Sequence, residues 1–131
     1  MLWELNFYKT PDSPHSEQFT VGYFVSLDEV EAVKAHYMSR VPGFRDTPWG
    51  SWEIIGHAVD IPGDGILWQV YGWNWSPDCN ECDRLQSPLF ADRTAADSCL
   101  AEFTAHYQRD VLEMGRIVVN ERMWAQGFDS E

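Results

Sequence analysis

Apolar and polar residues alternate from Phe19 to Val25 (FTVGYFV), and this pattern with β-branched and aromatic side chains predicts a β-strand. Ser26 and Glu29 have the spacing of a capping box, which predicts a helix start. The apolar positions that follow recur every three or four residues, as on one helix face: Leu27, Val30, Val33, Tyr37 and Val41. Pro42 and Gly43 then end the helix, and alternation resumes at Trp52 to His57.

The rest of the chain repeats this order. A strand is predicted at Leu2 to Tyr8, and Ile66 to Val70 echoes it after a turn-rich segment. We expect a polar loop at Ser76 to Ser87 and a short strand at Leu89 to Ala91. A longer helix capped by Asp92 is predicted from one apolar stripe: Ala96, Leu100, Phe103, Tyr107, Val111 and Met114. It ends at Gly115, and a last strand spans Arg116 to Trp124.

These elements predict an α+β fold in which a strand–strand–helix–strand unit occurs twice. We expect a mostly antiparallel sheet with the two helices packed on one face. With 131 residues, one domain covering 1–131 is expected. Its predicted parts are a first repeat over 1–60, a hinge over 61–65, a second repeat over 66–126 and an acidic, frayed tail over 127–131.

The chain is acidic throughout. Its net charge is −12, from 9 basic and 21 acidic residues, and both halves are strongly negative. Such a field repels nucleic acid and anionic lipid and attracts basic proteins, so we expect no direct nucleic-acid or membrane binding. The same charge is also explained by a need for solubility alone. No apolar run is long enough to span a bilayer, and no signal peptide is expected.

The sequence contains 3 cysteines, an odd number that indicates no disulfide framework, so a cytoplasmic setting is expected. Cys79 and Cys82 form a C-x-x-C motif among acidic residues, which would raise the pKa of a thiol. Without a second cysteine pair the motif does not predict a zinc site, and a metal or redox function, a local disulfide and a chance arrangement all stay open.

Candidate catalytic chemistry is sparse. His36 and His106 occupy equivalent positions in the two predicted helices and could face one another at a metal, although such histidines more often border a core. His15 and His57 have no evident partner. No serine elbow, phosphate-binding loop or paired carboxylates are recognisable, so we expect no catalytic residues, no cofactor and no metal, and we do not predict an enzyme.

Trp73 and Trp75 belong to the densest aromatic cluster and share a face if their strand continues. Asp78, Glu81 and Asp83 follow closely. Aromatic anchors beside carboxylates are typical of protein-binding hot spots, so these five residues are the predicted partner-binding site. Alternatively, the aromatic rings simply belong to the core.

The turn PGFRDTPWGSWEI, a helix before it and the later Trp-x-x-Gly-Phe at Trp124 to Phe128 resemble a group of small uncharacterised bacterial proteins. Those proteins have one strand–strand–helix–strand unit with a PGF-basic-Asp-x-Pro-x-Gly turn. The resemblance covers roughly the first 60 residues and the end of the chain, which departs from the group by inserting Ile61 to Gly115. The turn motif identifies no chemistry. Similarity to immunity and phage-encoded inhibitor proteins implies an inhibitory role by analogy of fold.

Three functions follow as hypotheses. The first is an immunity- or inhibitor-type protein that blocks a basic protein partner. The second is a DNA mimic that inhibits a nucleic-acid-binding complex of the anti-CRISPR or anti-restriction type, with carboxylates in place of phosphates. The third is a small-molecule binder or enzyme with a pocket between the two repeats. The oligomeric state stays open.

Overall fold

The computed structural model describes residues 1–11 and 17–128, apart from the side chain of Asn80. Within this part, six strands and two helices form two compact units. Residues 1–58 and 119–131 belong to unit 1, and residues 59–118 belong to unit 2. The elements in chain order are β1 (Leu2–Tyr8), β2 (Gln18–Phe24), α1 (Leu27–Arg40), β3 (Ser51–His57), β4 (Ile66–Ser76), β5 (Cys79–Gln86), α2 (Arg93–His106) and β6 (Val111–Val118).

Each unit contains one three-stranded antiparallel sheet and one helix. The strand order is β2-β1-β3 in unit 1 and β5-β4-β6 in unit 2, so the first strand of each unit is central in both. Helix α1 packs against β1 and β2, and α2 packs against β4 and β6. The predicted α+β fold with a repeated strand–strand–helix–strand order is therefore confirmed, and its strands form two sheets.

Both predicted helix starts are confirmed. The Ser26 hydroxyl accepts a hydrogen bond from the Glu29 backbone N–H at 3.2 Å, and the Asp92 carboxylate accepts one from Thr94 at 2.9 Å. Three of the predicted stripe residues of α1 are buried, but Leu27 in its first turn is 45% exposed. Among the described residues, neither helix has the length and apolar character needed to cross a membrane.

Unit 2 departs from the sequence prediction at three places. Residues 79–86, predicted as loop, form β5, which pairs with β4. The predicted long helix ends at His106, and Val111 and Met114 lie on β6, opposite Trp73 and Val70 of β4. Their spacing fits a helix, but pairing with β4 satisfies their backbone groups and tertiary context overrides the local pattern. The expected short strand near Leu89 is only an isolated bridge between Trp68 and Phe90.

Aromatic rings fill the space between sheet and helix in unit 1. Phe7 is fully buried, and its ring centroid lies 5.2 Å from Phe44, 4.8 Å from Trp52 and 6.2 Å from Phe128. Phe19 stacks on Phe128 with centroids 4.2 Å apart. These edge-to-face and stacked contacts make the centre of unit 1 an aromatic core.

The segment after β6 returns to unit 1. The backbone N–H groups of Asn120 and Met123 donate to carbonyls of β2, at 2.8 and 2.7 Å. Phe128 then donates to the Pro42 carbonyl at 3.1 Å. The residue was predicted to lie in a frayed tail, but its ring packs in the aromatic core; residues 129–131 lie outside the described part of the chain.

The two motifs that carry the family resemblance meet at this contact. Gly43 has φ of +87°, and a Cβ there would lie 2.5 Å from the Phe128 carbonyl oxygen. A Cβ on Gly127, where φ is +88°, would lie 2.2 Å from the Pro42 carbonyl oxygen. Both positions therefore require glycine for backbone conformation and for close approach. The PGF turn and the Trp-x-x-Gly-Phe segment have a structural role in unit 1.

Candidate functional site

The aromatic row of β4 is the first feature of the candidate site. Tyr71, Trp73 and Trp75 lie at alternate positions, so their side chains share one face of the sheet. The rings of Tyr71 and Trp73 stack with centroids 5.7 Å apart, and Trp73 meets Trp75 edge-to-face at 6.0 Å. Trp75 is 60% exposed, so the row begins half-buried and ends in solvent.

A cavity of about 490 Å³ lies beside the exposed end of this row. We call it the hairpin groove, because the β4–β5 hairpin and the segment before β6 form its walls. Its lining residues are Asn74, Trp75, Ser76, Cys82, Asp83, Gln108, Arg109 and Asp110. It therefore combines an indole, two carboxylates, a guanidinium and a thiol within unit 2.

The two acidic residues of the groove are held in place by hydrogen bonds, two of which involve Asn74. Its side-chain amide donates to Asp83 Oδ2 at 3.1 Å, and its side-chain oxygen accepts from the Asp110 backbone N–H at 2.8 Å. Asp110 in turn accepts a 2.7 Å hydrogen bond from the Trp75 backbone N–H. These contacts fix both carboxylates relative to the Trp75 backbone without neutralising their charge.

Arg109 makes its hydrogen bonds with carbonyl groups. Its Nε donates to the Asp83 carbonyl at 2.6 Å and its Nη1 to the Gln108 carbonyl at 2.8 Å. In the described part of the chain, no ion pair joins Arg109 to the carboxylate of Asp83 or Asp110. The lining therefore carries two carboxylates and one cation, a net negative charge.

The five predicted partner-binding residues occupy different positions around the groove. Trp75 and Asp83 line it, and Trp73 lies behind Trp75. Asp78 lies in the exposed hairpin turn, while Glu81 forms a 3.1 Å ion pair with Arg84. Sequence reasoning missed Asp110, because the loop between α2 and β6 was predicted as helix. The described residues contain no group of three His, Cys, Asp or Glu suited to a metal.

A β-bulge brings together the two thiols of the C-x-x-C motif. The Cys82 thiol donates to the Cys79 carbonyl at 3.5 Å, and both cysteines are free and half-buried. Hydrogen bonding to Cys79, together with burial, raises the pKa of the Cys82 thiol to about 11, and Asp83 contributes a smaller increase. The predicted upward direction is therefore present, but its main cause is the neighbouring cysteine.

A second constellation lies on the face of sheet β2-β1-β3 opposite the aromatic core. The Glu4 carboxylate is 6% exposed, lies 2.8 Å from His57 Nε2 and accepts a 2.7 Å hydrogen bond from the Asn6 side-chain amide. Fully buried Asn6 also contacts Glu53 at 3.4 Å and accepts from the Thr20 hydroxyl at 2.8 Å. A buried carboxylate is tolerated because these donors replace its lost hydration.

The sequence contained the signal for this polar network. Glu4, Asn6 and Tyr8 alternate with Leu5 and Phe7, so they share the sheet face away from the aromatic core. The partner of His57 is remote in sequence and is supplied by the pairing of Leu2 with His57 in β1 and β3, which brings Glu4 within reach. Single-sequence patterns do not specify that register.

Tyr23 completes the network and makes stability sensitive to alkali. Burial and the adjacent Glu4, to which its hydroxyl hydrogen-bonds, raise the pKa of Tyr23 far above 10.0. In unit 2, burial and the hydrogen bond to Glu113 raise the pKa of Tyr71 to about 12. Both phenols therefore hold their protons more tightly in the folded state than in the unfolded state.

We expect the free energy of unfolding to be insensitive to these phenols below pH 10 and to fall as pH rises from 10 towards 12, because unfolded tyrosines release their protons first. Tyr23→Phe is expected to make this alkaline decrease less steep in denaturant titrations at several pH values. Tyr107→Phe, at a 44% exposed position, is the matched control. An unchanged slope in Tyr23→Phe would contradict the assignment.

Comparison with known proteins gives no relative: no family model, no curated protein and no solved structure matches this chain.

Proposed function

We propose that this protein binds a basic partner protein through the hairpin groove and blocks it in the manner of an inhibitor or immunity protein. One observation carries the proposal: the 60% exposed Trp75 lies beside Asp83 and Asp110, two carboxylates that no ion pair within the described residues neutralises. Exposed indoles are typical binding anchors, and the net charge of −12 favours a cationic partner.

The groove chemistry suits an arginine side chain of the partner. A planar guanidinium can stack on the Trp75 indole while its N–H groups donate to one or both carboxylates. The Asn74 side-chain amide holds the Asp83 carboxylate in advance and the Trp75 backbone N–H holds that of Asp110, so less conformational entropy is lost on binding. Arg109 occupies carbonyl acceptors, which leaves the carboxylates for the incoming cation.

The test compares two charge-matched variants. Wild type, Asp83→Asn/Asp110→Asn and the control Glu31→Gln/Asp97→Asn are immobilised and exposed to host lysate, and the retained proteins are identified. We expect a basic protein on wild type and control, and roughly tenfold weaker binding to the groove variant. Trp75→Ala should weaken binding similarly, whereas Trp49→Ala, at a 62% exposed position, should not.

Salt dependence and specificity decide the outcome. Wild-type affinity for the retained protein should fall markedly between low and physiological salt, because exposed charges are screened. Equal retention by the two charge-matched variants would reject the groove as the interface. Retention of acidic proteins only would reject the basic partner. If the retained protein binds nucleic acid and that nucleic acid competes with this chain for it, the DNA-mimic form of inhibition would be favoured.

A second candidate function is acid–base chemistry or small-molecule binding at the polar network of unit 1. The Glu4–His57 contact favours it, since a carboxylate that orients an imidazole is a common catalytic arrangement. His57 is partly exposed and thus reachable from solvent. Fragment screening by NMR tests this candidate: a ligand that shifts the His57 imidazole signals in wild type but not in Glu4→Gln would support it.

A further inference from the structure

The C-x-x-C motif occupies an irregular stretch of the β4–β5 ladder. Cys79 is opposite Ser76 and Cys82 is opposite Asn74, so two residue steps along β4 match three steps along β5. In a regular strand, residues three apart point to opposite faces of the sheet. The bulge absorbs one residue and returns both cysteines to the same face.

The two sulfur atoms are accordingly neighbours. The Cys82 thiol donates to the Cys79 carbonyl at 3.5 Å, and the Cys79 side chain is close enough to raise the pKa of the Cys82 thiol. The turn between β4 and β5 is stabilised by a hydrogen bond at the end of β4, in which the Asp78 backbone N–H donates to the Ser76 hydroxyl at 3.2 Å. Cys82 also lines the hairpin groove, which gives the pair access to solvent.

We propose that Cys79 and Cys82 form a two-coordinate binding site for a soft monovalent cation of the Cu(I) or Ag(I) type. Two thiolates are the ligands that such cations select. A structural zinc ion would need four ligands, and the described residues provide no group of even three candidate ligands. A hard divalent cation such as Mg²⁺ or Ca²⁺ does not fit the site either. Such ions prefer oxygen ligands, and the two groups that the bulge brings together are both thiols.

Binding exchanges protons for the cation. Each thiol loses its S–H proton to solvent, two S–metal bonds form, and the metal keeps its oxidation state. The site therefore loses two protons and gains one monovalent cation. The complex is one charge unit more negative than the dithiol. Because both protons must leave, affinity is expected to increase with pH. This site is independent of the proposed partner binding, although the two share the groove wall.

The experiment is an anaerobic titration of the reduced protein with Cu(I) in competition with the chromophoric chelator bicinchoninate, repeated with Ag(I). We expect one ion per chain in wild type and in Cys99→Ser. Cys79→Ser and Cys82→Ser should each weaken binding by more than the roughly 10–100-fold that loss of an outer-shell partner costs. Far-UV circular dichroism of each variant verifies that the fold is retained.

Quenching of Trp fluorescence by the bound ion gives a second readout, which Trp75→Phe should reduce because Trp75 lines the groove with Cys82. The proposal is overturned if the wild type does not compete with bicinchoninate, if Cys99→Ser loses the ion as the other variants do, or if both Cys79→Ser and Cys82→Ser retain it. The proposal is also overturned if protein that is purified in a reducing buffer contains a Cys79–Cys82 disulfide that resists reduction.

Discussion

Phe7→Ala is expected to lower the free energy of unfolding of unit 1 by about 3–5 kcal/mol, the range for a fully buried phenylalanine. The residue lies on the central strand and has 0% exposure. Its ring contacts Phe44, Trp52 and Phe128, which come from the PGF turn, β3 and the returning C-terminal segment. Removing the ring leaves a cavity that three separate chain segments cannot jointly close.

Denaturant unfolding followed by circular dichroism measures this loss, and amide hydrogen exchange of β1 assigns it to unit 1. Trp49→Ala is the control, because it removes a larger ring at a position that is 62% exposed. We expect that variant to stay within about 0.5 kcal/mol of wild type. A Phe7→Ala protein as stable as Trp49→Ala would show that the aromatic core is not the main support of unit 1.

Asn6→Leu is expected to cost about 3 kcal/mol, although leucine is similar in size and apolar. The substitution removes the 2.7 Å hydrogen bond to buried Glu4, a weaker one to Glu53 and the acceptor for the Thr20 hydroxyl. A buried carboxylate that loses a donor carries a larger share of its desolvation cost without compensation, even though His57 and Tyr23 still contact Glu4. The effect is therefore opposite to what apolar burial alone would give.

A graded series tests this explanation. Thr20→Val removes one neutral hydrogen bond of the network and should cost only about 1 kcal/mol. Asn6→Leu combined with Glu4→Leu should recover part of the loss, since the under-compensated carboxylate is then absent. If Asn6→Leu is neutral or stabilising in urea titrations, the network does not depend on Asn6.

Local signals in this sequence were sufficient to predict the α+β fold class and the repeated order of strands and helices. Ser26 and Asp92 mark helix starts through side-chain chemistry that acts within three residues, and the alternation in Leu2 to Tyr8 defines both faces of β1. These interactions are short in sequence, so a single chain reveals them.

Features that depend on distant segments were not predictable in the same way. The stripe through Tyr107, Val111 and Met114 fits a helix, but pairing with β4 places the last two on a strand. Asp110 joins the hairpin groove, and Glu4 meets His57, only once strand register is set. The sequence predicts the aromatic–acidic residues as a binding site, but the position of Asp110 beside Trp75 and Asp83 is evident only in the tertiary structure.

The return of residues 119–128 to unit 1 has a consequence for biosynthesis. Residues 59–118, which form unit 2, are inserted between two parts of unit 1. All strands of unit 2 are therefore synthesised before unit 1 is complete. Phe128, by contrast, is synthesised only after the whole of unit 2. During translation, Phe19 and Phe44 therefore lack the Phe128 ring as a partner until residues 59–128 have been made, so their apolar surface stays exposed in the nascent chain for longer than that of unit 2.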